Sequence, residues 1–255
     1  MTARCVFRQE LDGRQLEVWD EGRKRSLWFD DQVLQTEIDR RDPKRLPNPA
    51  NRAMLAHLLF GPVPRRVLLG GCGGGGIARW FHARAPEIRG EAAEISATVA
   101  GVARDWFDFP GTTSRWRLRQ TDVRDLLHQT DQTYDFVLFD LEENQQTPDW
   151  LTTPEFLDAC RRRLRRSGVL TLNLIAEDAT RFAGALATIR QRFDRRVLCL
   201  PVPGHHNIIV LGFMAPPALD DLDGRARQAE ARWGIEFPRL LQRLRRANPP
   251  GSGVF

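Results

Sequence analysis

The sequence predicts an α/β fold, with a mostly parallel sheet covered by helices on both faces, an antiparallel hairpin closing it and a small β unit ahead of it. Three observations carry this. From Arg66 onward, strand-like apolar runs alternate with loops and helical stretches, the pattern of a parallel sheet. Arg196 to Val202, a Pro203-Gly204 turn and Asn207 to Met214 read as strand, turn and strand, a hairpin at the sheet's end. The first forty residues alternate short strand-like runs with turn signals.

In chain order, Gln15 to Trp19, Ser26 to Phe29 and Val33 to Ile38 are expected strands, separated by turns at Glu21-Gly22 and Asp30-Asp31. Asp42 to Pro49 holds three prolines, which remove donors and push their predecessors to extended geometry, so it is a linker or lid-like loop. Ala50 to Phe60 has Met54, Leu55, Leu58 and Leu59 at helical spacing. Strands follow near Val67 to Leu69, Ile88 to Glu94, Trp116 to Arg119, Phe136 to Asp140 and Val169 to Leu174, and a helix around Arg181 to Phe193 precedes the hairpin. A closing hairpin fits a Rossmann-like sheet of the methyltransferase type and not a nicotinamide-binding one. Leu219 to Asn248 is charged and helical, with Arg239, Arg243 and Arg246 along a solvated side. The boundaries expected are residues 1–49 for the β unit and linker, 50–217 for the α/β domain and 218–255 for a helical tail.

At 255 residues the chain can bury a full core, and its 42% hydrophobic and 28% charged content is that of a globular protein. No apolar run approaches the roughly 18 to 20 residues of a membrane span, and the N-terminus lacks the apolar centre of a secretory signal. Cys5, Cys72, Cys160 and Cys199 are scattered without a C-x-x-C pair, which implies a cytoplasmic setting with neither zinc nor disulfides. The net charge of +5 would permit nucleic-acid binding, but only Lys24 and Lys44 are lysines, an arginine skew that codon bias explains; nucleic acid is not an expected partner.

The strongest local signal is Val67-Leu68-Leu69-Gly70-Gly71-Cys72-Gly73-Gly74-Gly75-Gly76, a buried strand entering a glycine loop that lets backbone approach a bound nucleoside closely. Gly71, Gly73 and Gly76 match G-x-G-x-x-G. Glu94, at the end of the second strand, is placed to accept hydrogen bonds from ribose hydroxyls; the alternative is a surface Glu ending a strand. Asp122 is placed either to receive an adenine amino group, with Val123 against the ring, or to cap the following helix. Tyr134 to Phe139 delivers Asp140 to the strand's C-terminal end, where open α/β sheets bind ligands, and Glu142 and Glu143 follow. Three carboxylates at a cleft mouth suit a cationic amine, unless Asp140 alone faces the cleft.

These features together resemble the spermidine synthases, whose L-D-G-x-x-Q-x-T-E stretch is matched by Phe29-Asp30-Asp31-Gln32-Val33-Leu34-Gln35-Thr36-Glu37. The glycine loop, Glu94-Ile95, Thr121-Asp122 and the strand ending at Asp140 follow in family order, from about Leu16 to Met214. The resemblance implies that Gln35, Glu94, Ile95, Asp122 and Val123, with the loop backbone at Gly71, Gly73 and Gly74, hold a donor nucleoside. It implies Asp140 as the acid that positions and deprotonates an attacking amine, assisted by Glu143, and a homodimer. The sequence departs from the family at Gly74, where an Asp clamps the donor's amine, and at Asn51 and Arg52, where a Tyr-His pair helps hold the acceptor. Arg52 is expected to repel a diamine, and Gly74 to admit S-adenosylmethionine as well as its decarboxylated form.

Aminopropyl transfer from decarboxylated S-adenosylmethionine to an amine is therefore the leading expectation. The alternatives are a methyltransferase using intact S-adenosylmethionine and a catalytically idle nucleoside-binding homologue. No N-P-P-Y-type motif follows the fourth strand of the α/β unit, which argues against methylation of base amino groups.

Overall fold

The computed structural model describes every residue except Met1, Asp31, Gln32, Thr112 and Asn144. Two sheets organise it. Strands β1 (Arg4–Leu11), β2 (Arg14–Glu21), β3 (Lys24–Phe29) and β4 (Val33–Asp39) form an antiparallel meander. β1 was not legible in the sequence, because its run of Arg, Gln and Glu among apolar residues has no clean alternation. Asp12 and Gly13 both have positive φ (52° and 77°), the backbone of a two-residue hairpin turn matched to strand twist. Asp31 and Gln32 of the motif stretch lie outside the described residues.

The linker ends at Asn48, whose side chain accepts from Ala50 N at 2.8 Å and caps α1 (Pro49–Met54); Pro49 sits in the first turn, where its missing N–H costs nothing. The single helix expected over Ala50 to Phe60 is corrected here: α1 stops at Met54 and a separate 3-10 turn covers Ala56–Leu59. His57 is stacked on Phe136 with ring centroids 3.6 Å apart, and the tighter turn brings it there.

The second sheet has seven strands in the order β10-β11-β9-β8-β5-β6-β7. They are β5 (Arg66–Gly70), β6 (Arg89–Glu94), β7 (Trp116–Gln120), β8 (Tyr134–Phe139), β9 (Leu164–Ile175), β10 (Val197–Pro201) and β11 (Asn207–Phe213). β5 through β9 pair in parallel, and β11 runs antiparallel beside β9, so the expected closing hairpin is present. Helices α2 (Gly76–Arg84), α3 (Ala97–Trp106), α4 (Val123–Gln129), α5 (Pro154–Arg163) and α6 (Ala179–Arg192) connect the strands.

Two buried clusters lie on the two sheet faces. Trp80, Phe81, Trp116 and Phe136 belong to one; Phe139, Phe156, Leu157 and Phe193 belong to the other. The C-terminal residues form α7 (Leu222–Trp233) and α8 (Phe237–Ala247), which leave Arg239 and Arg246 exposed. Their inner faces bury Leu222, Trp233, Phe237, Leu240 and Leu244 in the first cluster, with Trp233 packed 5.5 Å from Trp80. Each such buried side chain contributes roughly 1.5–3 kcal/mol, so these helices belong to the core.

Candidate active site

The C-terminal ends of β5, β6 and β8 meet at one cleft, and the glycine loop sets their spacing. Gly71 has φ of 79°, and a Cβ there would collide with the backbone carbonyl of Asp140. The loop is tied down by Gly71 N donating to Ala93 O (2.9 Å), while Asp140 N donates to Gly70 O (3.0 Å). Glycine at this position therefore allows the β5 loop and the post-β8 acid to touch.

Glu94 is not a loose surface residue. Its Oε2 accepts from Cys72 N at 3.1 Å and its Oε1 from Ser96 N at 3.0 Å. Each oxygen keeps a further lone pair, so a fixed carboxylate with spare acceptor capacity faces the cleft beside the loop. Ile95 follows at 68% exposure, a large aliphatic side chain left open to solvent beside that carboxylate.

Asp122 caps α4, accepting from Arg124 N at 2.8 Å, and its pKa is lowered by the Arg124 guanidinium bonded to it. Arg124 in turn lies 4.7 Å over the Trp150 ring, and Trp150 Nε1 donates to Glu143 Oε1 at 3.1 Å. Asp122, Arg124, Trp150 and Glu143 are thus linked in one chain of contacts. Glu143 is turned to Trp150, and the acid electrostatically coupled to Asp140 is Glu142. Val123 is buried beneath the loop, next to Gly70.

Asp140 has an open carboxylate at the cleft floor, yet protein atoms crowd it enough that desolvation raises its pKa above the ordinary carboxylate range. The opposing influence is Asn173 Nδ2, which donates to Asp140 Oδ1 at 2.8 Å. Asn207 Nδ2 donates to Asn173 Oδ1 at 3.0 Å, so two strands hold the acid in one orientation. Glu142 is also shifted upward, by desolvation first and by the Asp140 charge second. Sequence reasoning missed Asn173 and Asn207; the available signal was a lone amide interrupting the apolar run Leu172-Asn173-Leu174.

The N-terminal sheet reaches the same place. Thr36 Oγ1 accepts from Gly74 N at 2.8 Å. A bulge between Leu27 and Trp28 leaves Gln35 as the extra residue on β4, immediately before Thr36, and bulges of this kind re-aim side chains near sites. The Gln35 carbonyl lies beside Gly73.

Side chains pack closely around one departure from the family pattern, Gly74, and the expectation at the other, Arg52, is corrected. A Cβ at Gly74 would meet the Phe107 ring at 2.8 Å and Thr36 Cγ2 at 2.9 Å, so the position is closed by packed side chains and a carboxylate grafted there would start inside that packing. Arg52 does not approach an amine in the cleft. Its Nε donates to Glu236 Oε1 at 3.0 Å and its Nη1 to the carbonyls of Leu46 and Pro47, pinning the proline linker to the C-terminal helices. Arg52→Ala is expected to lower stability by about 1–3 kcal/mol in urea unfolding while leaving nucleoside affinity unchanged.

Among the described residues no cluster of three or more potential ligands is placed to hold a metal ion, and no helix is long and apolar enough to cross a membrane. No protein-family model matches the chain. It is 31% identical over 242 residues to a polyamine aminopropyltransferase of Chromobacterium violaceum, covering 94% of this chain and 92% of that one. The fold is shared with a probable spermidine synthase from Corynebacterium glutamicum, at a TM-score of 0.74 and 20% identity over 88% of this chain and 86% of that one. It is also shared with human methyltransferase-like protein 13 in complex with SAH, at a TM-score of 0.68 and 23% identity over 73% of this chain and 93% of that one. Near-full-length identity at this level, on a sheet of this order with its acid beside the glycine loop, means that the chain belongs to the polyamine aminopropyltransferase family.

Proposed function

We propose that the protein transfers an aminopropyl group from decarboxylated S-adenosylmethionine to an amine acceptor. The observation that carries this reading is Asp140, an acid of raised pKa held by Asn173 against the glycine loop, with Glu142 and Glu143 close behind. An alkyl amine titrates near 10 and reaches the cleft as an ammonium, which the acids attract. Asp140 takes a proton from it, and the freed lone pair attacks the carbon next to the donor's sulfonium. The carbon–sulfur bond breaks and sulfur keeps the pair, leaving methylthioadenosine. Orientation and proton removal are what the protein supplies.

In this reading Glu94 accepts from the ribose hydroxyls and the adenine covers Ile95, which removes its exposed aliphatic surface from water. Asp122, Val123 and Gln35 complete the nucleoside site, and Gly71, Gly73 and Gly74 contribute backbone. Glu143 holds the far end of the acceptor. The four cysteines are unpaired, which fits a cytoplasmic enzyme, and the family resemblance supports a homodimer.

Gly74 favours a second reading, since no carboxylate there selects a decarboxylated donor: methyl transfer from intact S-adenosylmethionine. Thermal shift with decarboxylated donor, intact donor, methylthioadenosine and NAD separates the two. A ligand at one hundred times its Kd adds about 2.7 kcal/mol of stability. Stabilisation by decarboxylated donor and methylthioadenosine is expected; stabilisation by intact donor alone would replace the proposal with methyl transfer, and stabilisation by methylthioadenosine without transfer to any amine would leave an idle nucleoside-binding homologue.

A further inference from the structure

The edge of the sheet opposite the cleft carries an arrangement that amine chemistry does not use. Arg66 and Arg89 begin β5 and β6 as direct cross-strand partners, and Arg115, whose carbonyl accepts from Gly90 N, leads into β7. Like charges on adjacent strands repel and weaken the pairing, so the fold tolerates a cost here. Strand alternation puts Arg66 with Leu68, Arg89 with Glu91, and Arg117 with Arg119 on the face that α4 covers. α4 is only seven residues long and leaves the lower part of that face open.

The opening is a groove of about 620 Å³ lined by Arg66, Arg89, Arg115, Arg117 and Arg119 against two carboxylates, Glu91 and Asp131. Glu91 is already engaged by Arg119 Nε (2.7 Å) and by the Tyr134 hydroxyl (2.6 Å), and Asp131, at the groove's exposed rim, lies 3.8 Å from Arg163, which does not line the groove. Arg66 bonds Gln132 and Arg115 is held by His82. Arg89 and Arg117 are exposed and make no ion pair among the described residues. Gln129, Thr130 and Ser114 add donors, whereas the one aromatic ring lining the described groove, Tyr134, is buried and offers no face to a nucleobase. Clustered guanidinium forks with side-chain donors and no stacking surface match phosphate oxygens without a base.

We propose that this groove binds a compact oligophosphate, with Arg89 and Arg117 as its principal ligands and Arg66 and Arg115 as flanking ones. Calorimetric titration of the full chain with inorganic tripolyphosphate at low ionic strength tests it. Saturable binding that weakens with added salt is expected, together with at least a tenfold loss in the Arg89→Gln, Arg117→Gln double variant. Methylthioadenosine affinity should be unchanged in that variant and its melting temperature should not fall, because both side chains are exposed at the opposite end of the sheet and the Arg66–Arg89 repulsion is relieved. No saturable binding, equal affinity in the double variant, or a fall in its melting temperature overturns the proposal. Tighter binding of a single-stranded oligonucleotide than of tripolyphosphate also overturns it, in favour of a nucleic-acid surface.

Discussion

Asp140→Asn is expected to reduce aminopropyl transfer by roughly a hundred- to ten-thousand-fold while leaving methylthioadenosine affinity within about twofold, because the carboxylate is asked only to take the amine's proton. Single-turnover rates and calorimetry on the same preparation check both halves. The amide conserves shape and can still accept from Asn173, so packing is not at issue. Equal losses of transfer and of nucleoside affinity would make Asp140 a donor ligand and remove it as the base.

The raised pKa of Asp140 gives this variant a second signature. The base works ionised, so kcat/KM in the parent should rise with pH through a limb lying above the ordinary carboxylate range, and the residual activity of Asp140→Asn should lack that limb. Stability runs the other way. A carboxyl whose folded pKa exceeds its unfolded one costs nothing below the unfolded pKa, and its cost grows with pH until it is complete above the folded pKa. The Asn variant is therefore expected to match or exceed the parent's melting temperature at neutral pH, with the advantage vanishing in acid.

Glu94→Gln is expected to weaken methylthioadenosine binding at least tenfold, since hydrogen bonds to a charged acceptor contribute on the order of 1.5 to 3 kcal/mol. The environment sharpens the expectation. Both carboxylate oxygens face backbone N–H groups, of Cys72 and of Ser96, and an amide must turn its NH₂ toward one of them. Donor then opposes donor, and the glycine loop loses an anchor along with the ribose contact. Calorimetry reads the affinity and a melt reads the loop; a lower melting temperature with an unchanged Kd would assign Glu94 to the scaffold alone.

The two substitutions also divide what was legible along the chain from what was not. The sheet, its closing hairpin, the glycine loop and the positions of Glu94 and Asp140 are written locally: a buried strand is a short apolar run, a tight loop needs glycine, and the end of such a strand is where an acid can meet a ligand. Side-chain partners are not written locally. Arg52 looked like a charge aimed at the acceptor until Glu236, 184 residues away, proved to hold it. Nor is it written at Gly74 that Phe107 and Thr36 pack against that position. The orientation of Asp140 depends on Asn173 and Asn207, amides on two later strands that adjoin in the sheet. Periodicity records which way a residue faces, whereas its charge is offset, and its space occupied, by whatever the folded chain brings alongside; for this protein the sequence by itself placed the candidate acids at the strand ends, and packing across distant segments decided which charged groups are paired and how they are held.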